Sequence, residues 1–150
     1  MKLNLTRALA LFFAAYIIVT FLAAGITEGY GMISKLPPPP EGVSPVKMPV
    51  FTATVPYHVL VMLIVWPLFA DIYFKKSRNK NPGDEKLETR KLAFLWLAMA
   101  IIVDFVGFVL IKHPYSLSAH AFYVDYQPWI SLIYLSIFLS PWIRLRFARR

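Results

Sequence analysis

Four long apolar runs separated by shorter polar stretches set the pattern of this chain, and each predicts a helix able to cross a membrane. The third is the clearest. Leu92 to Ile111 is almost wholly apolar, and at 1.5 Å rise per residue such a run covers a hydrocarbon core of about 30 Å. The predicted spans occupy residues 8–28, 54–74, 92–111 and 127–143. The expected fold class is therefore an all-α integral membrane protein, with four transmembrane helices in an up-down bundle forming one domain over residues 1–150. The first run follows Lys2 and Arg7 and so also has the layout of a signal peptide, but it outlasts the roughly 7–15 residues of such apolar cores.

The connections have distinct characters. Between the first two spans, Pro37 to Pro40 stand in a row, with Pro45 and Pro49 beyond them. Consecutive prolines lack amide donors and favour polyproline II, so this segment is expected to be a stiff strap. Pro56 is expected in the first turn of the second helix and Pro67 in its interior, where it bends the axis. In the charged segment from Lys75 to Lys91, Asn81-Pro82-Gly83-Asp84 predicts a type II turn ahead of a third helix headed by Asp84 and Glu85. Lys112 to Tyr126 is dense in Tyr and Phe, as an interfacial belt requires.

Composition narrows the class further. Hydrophobic residues make up 58% of the chain and charged ones 16%, a balance suited to lipid rather than water as the solvent. The net charge of +8 would suit a nucleic-acid partner only if it formed a patch, and it lies instead at the ends of the apolar runs. With both termini cytoplasmic, thirteen of the sixteen lysines and arginines fall on the inner side, leaving only Lys35, Lys47 and Lys112 outside. That bias predicts an N-in, C-in arrangement in a prokaryotic plasma membrane. Lys75, Lys76, Arg78, Arg144 and Arg146 are the candidate contacts to lipid headgroups. The absence of cysteine excludes disulfides, thiolate metal sites and a thiol nucleophile.

Asp104 is the sharpest chemical signal. A carboxylate near the bilayer centre costs roughly 2.5–3.5 kcal/mol on insertion scales, so it is expected to face the bundle interior and to serve a proton path, a ligand or a structural hydrogen bond. Helical spacing places Leu97, Ala100, Asp104, Gly107 and Ile111 on one face, and Tyr16, Thr20, Ala23 and Thr27 on another. His58 and the carbonyl freed by Pro67 are its expected neighbours, with Tyr16 and Tyr134 as further proton- or ligand-binding candidates. His58, His113 and His120, with Glu28 or Asp125, offer nitrogen and oxygen donors for Zn or Cu. Ser131, Ser136 and Ser140 are expected to bond to neighbouring helices. No G-x-S-x-G elbow and no glycine-rich phosphate loop occurs, so the sequence nominates no catalytic residue and no cofactor.

Two functions follow as expectations. The first is a non-catalytic accessory, anchoring or assembly subunit, partnered by the bilayer and by other membrane subunits or further copies of itself. The alternative is a small proton-coupled transporter or channel using Asp104.

Overall fold

A computed structural model of the chain describes residues 3–36, 43–75, 81–113 and 116–148. Among these it is all-helical, with no strand. Four helices are long and apolar enough to cross a membrane: α1 (Leu5–Ile33), α2 (Pro49–Lys75), α3 (Pro82–Asp104, continued by a wider π-helical stretch over Phe105–Leu110) and α4 (Trp129–Phe147). They support a membrane location. Their outward side chains are large and apolar, including Phe21, Leu60, Phe94 and Leu110, which only hydrocarbon would solvate at no cost.

The helices outrun the predicted spans because apolarity marks what lipid requires, while helix ends are set by backbone chemistry. Asn4 caps α1, its Oδ1 accepting the Arg7 amide at 3.1 Å. With no proline before residue 37, α1 continues past Glu28 to Ile33. Pro49 opens α2, where its fixed φ is already helical and its missing amide costs nothing. Pro56 therefore lies inside α2 together with Pro67, rather than in its first turn. The expected turn at residues 81–84 is instead the start of α3. Asn81 is its N-cap, and Asp84 and Glu85 occupy its first turn, where the helix dipole favours acids. The Pro37–Pro40 strap lies outside the described residues, as do Lys76 and Arg78.

Packing follows the order α1 on α2, α2 on α4 and α4 on α3, whereas α1 and α3 touch over only a short stretch. Ala8 and Ala15 of α1 and Ala100 of α3 are buried, and such small side chains allow close backbone approach. The Trp96 indole donates to the Ala8 carbonyl at 3.0 Å. Phe12, Trp66 and Trp96 fill the space between, with ring centroids 5.3–5.5 Å apart. Ser136 and Ser140 are buried but donate to carbonyls of their own helix, Leu132 and Ile137, at 2.7 Å each. Ser131 reaches Gln127 at 2.8 Å. These hydroxyls satisfy themselves locally and leave the inter-helix contacts to apolar surfaces.

One end of the bundle is tied by charge. Arg7 donates to the Ile72 carbonyl at 2.7 Å, and Tyr73 donates to Glu88 at 2.9 Å. Arg144, expected at lipid headgroups, is instead buried. Because α4 runs on to Phe147, its guanidinium lands between Asp71 at 3.3 Å and Glu85, over the ring of Phe74. Lys75 lies 3.8 Å from Asp71, as its i, i+4 spacing suggests. Arg146 is exposed and stays available to headgroups.

Removing Arg144 strands two acids. Breaking a fully buried pair costs roughly 3–5 kcal/mol, but 44% of the Asp71 side chain is accessible, so water offsets part of the loss. Arg144→Ala is expected to destabilise the bundle by about 2 kcal/mol, read as a lower thermal midpoint in mild detergent. An unchanged midpoint would remove this cluster from the account of stability.

Candidate functional site

Where α1 and α3 part, the bundle holds a cavity of about 730 Å³, within the roughly 300–1,000 Å³ of small-molecule sites. Its back wall is α2 and α4, through His58, Trp66 and Ile133. Its sides are α1 on one flank, and on the other Asp104, Phe108 and the segment leading to Tyr126. Thr20, Ala24 and Glu28 are exposed on α1 and also line it, so the mouth lies on the side where α1 and α3 fail to meet. Along α1 it runs from Tyr16 to Glu28, about 18 Å of helix.

At the deep end sits Asp104, 7% exposed. The Tyr16 hydroxyl donates to its Oδ1 across the gap between α1 and α3. The Tyr134 hydroxyl, from α4, is buried beside the carboxyl without completing a hydrogen bond of ordinary geometry. No described lysine or arginine forms an ion pair with Asp104. The expected neighbours, His58 and the carbonyl freed by Pro67, are not its partners. His58 Nε2 lies 3.0 Å from the Thr27 hydroxyl, which in turn is 3.1 Å from that of Thr54.

The predicted face of α3 holds through Ala100 and Asp104 and then slips. Gly107 is only half-buried, a Cβ on it would touch nothing within 4 Å, and Ile111 is exposed. From Phe105 the wider π-helical turn places fewer degrees between residues, so counting by 3.6 no longer tracks a face. This stretch is held by the linker that follows. The Leu117 amide donates to the Phe108 carbonyl at 2.8 Å, and His113 Nε2 lies 2.8 Å from the Gly107 carbonyl.

The three histidines nominated for a metal lie apart. Among the described residues no group of three His, Asp or Glu side chains is placed to hold an ion. His58 is engaged by Thr27 and His113 by Gly107, while His120 is largely exposed with Nδ1 3.7 Å from Asp125. Three histidines on one side of the chain pattern are thus spent on three separate local contacts.

Above the cavity, Pro45 and Val46 of the short helical turn Pro45–Lys47 form part of the lining, and Lys47 ties that turn to Asp125 at 2.8 Å. This contact between two connecting segments was not foreseen, since the two residues are far apart in sequence and each reads as an isolated surface charge. Comparison with protein-family models, curated proteins and solved structures finds no match for this chain.

The hydrogen bond from the Lys47 ammonium holds the Asp125 carboxyl below the usual carboxylate range. A folded-state pKa below the unfolded one means that the tie is present above the ordinary carboxylate range and is lost as pH falls through the lower value. Amide exchange at Lys47 and Met48, whose amides donate to the Ser44 and Pro45 carbonyls, is expected, once corrected for intrinsic rates, to be slow at neutral pH and to quicken on acidification. Asp125→Asn should make it fast throughout. Exchange indifferent to both changes would show that the tie does not hold the turn.

Proposed function

We propose that the chain is a four-span, up-down membrane bundle with both termini cytoplasmic, and that it takes a small lipid-soluble molecule from the bilayer into the cavity between α1 and α3. The observation that carries this reading is a cavity of ligand size, open to the side, with an acid and the tyrosine that donates to it at its deep end. A span has no packing reason to leave such a volume beside its most costly residue. Closing the gap would add contacts between α1 and α3 and shelter Asp104 better.

The positive-inside bias supports the orientation, because the Arg7, Arg144 and Arg146 end gathers the starts of α1 and α3 with the ends of α2 and α4. In a proton-coupled transporter, the alternative expectation, Asp104 would be the coupling acid at the floor of this same cavity. The accessory-subunit expectation draws no comparable support, since the exposed apolar residues of all four helices are what lipid tails require of any span.

Trp66 tests the reading. Its side chain is fully buried at the border of the cavity, so a molecule inside the cavity comes closer to it than lipid outside the bundle. In a variant with Trp96, Trp129 and Trp142 replaced by Phe, brominated acyl chains are expected to quench Trp66 fluorescence in reconstituted bilayers, and Ala23→Phe in the lining should relieve the quenching. Trp66 emission untouched by brominated lipid would contradict a side entrance.

A further inference from the structure

The polar and aromatic groups of the cavity are sorted in a way that specifies charge. Among the described residues its lining includes two acids, Asp104 and Glu28, and two histidines, His58 and His113, with no lysine or arginine. Asp71 and Glu85 share Arg144, and Asp125 has Lys47, whereas Asp104, the most deeply placed acid on the cavity wall, has no cation in reach among the described residues. Its hydrogen-bond partner Tyr16 donates to it and brings no positive charge.

Much of the remaining lining is aromatic. Tyr16, Phe51, Trp66, Phe108, Phe122 and Tyr126 all line the space. Phe108 and Phe122 are stacked at 5.8 Å, and Phe51 meets Tyr126 edge-on at 5.3 Å. Aromatic faces carry negative potential and attract cations, most strongly when water is excluded. For a neutral ligand bearing carbonyls the lining offers few free donors: the Tyr16 hydroxyl is spent on Asp104, and His58 and Thr27 on each other, which leaves the Tyr126 hydroxyl. An anion would meet two acids and, among the described lining residues, two imidazoles but no lysine or arginine.

We infer that the cavity's ligand is a lipophilic cation, an ammonium or similar onium group on an apolar body, whose charge lies against Asp104 and whose body lies among the aromatic rings. The inference rests on the ligand-binding reading above and gives it a substrate class. Burying a carboxylate without a counter-ion is costly, so the ligand's positive charge supplies what the protein lacks at this point, and the exchange favours cations over neutral molecules of equal size. Entry through the side opening requires an apolar body, since a hydrophilic cation would not reach the mouth from hydrocarbon.

Tetraphenylphosphonium and tetraphenylborate share shape and differ in sign, so the pair isolates charge. With the full chain in phosphatidylcholine nanodiscs and empty discs as background, saturable binding is expected for the phosphonium and not for the borate. Asp104→Asn should weaken phosphonium binding about tenfold or more, while Asp104→Glu, which keeps the charge, should retain most of it. Equal saturable binding of both ions, or phosphonium binding indifferent to Asp104→Asn, would overturn the cationic ligand and leave a cavity that takes apolar molecules of any charge. Absence of saturable phosphonium binding would overturn it as well. If Trp66 were also unquenched by brominated lipid, the ligand-binding reading would fall with it.

Discussion

Hydrocarbon has no means of solvating a carboxyl group, and the position of Asp104 within an apolar span makes that constraint the one from which the rest of the architecture follows. The group must be met by protein, and the Tyr16 hydroxyl meets it from α1. This contact joins two helices that touch over only a short stretch. On one side of it, Ala8, Ala100 and the Trp96–Ala8 hydrogen bond bring α1 and α3 together. On the other side the helices separate, and the cavity begins.

Stability in such a medium has a different balance from that of a water-soluble bundle. Apolar side chains gain little by leaving lipid for protein, so close packing and polar pairing must do what burial does in water. Small residues set the close approach, the Phe12, Trp66 and Trp96 rings supply dispersion contact, and the Arg144 cluster ties α2, α3 and α4 at the basic end. The opposite end has softer ties: a surface ion pair from Lys47 to Asp125 and the hydroxyl–imidazole contacts of Thr27, Thr54 and His58. Rigidity at one end and lighter restraint at the other suit a bundle whose opening lies toward the lightly held end.

Much of this was legible in the residues. Hydropathy alone gives four helices, because lipid imposes apolarity over a fixed length, and the acid in the third run announces an interior face. Helix ends were not legible in this way. The Lys75–Lys91 segment is too charged for a span, yet from Pro82 its Glu, Lys and Arg are good helix formers headed by two acids, and it folds into α3. Arg144 reads as a tail cation until α4 is seen to continue past it. The partner of Asp104 was among the named candidates, but His58 was favoured on depth, and depth along a span says nothing about the angle at which a side chain leaves its helix. The π-helical stretch after Asp104 carries no sequence signature, and it is what shifts Gly107 and Ile111 off the predicted face.

The meeting of Tyr16 and Asp104 inside the bundle is therefore the point on which both fold and site turn. Solid-state NMR of the protein in lipid bilayers, with the Asp104 carboxyl carbon and the Tyr16 ring labelled, measures it directly. A through-space correlation between the Tyr16 Cζ and the Asp104 carboxyl carbon is the predicted result. A carboxyl carbon that correlates with lipid acyl-chain protons and not with Tyr16 would contradict it.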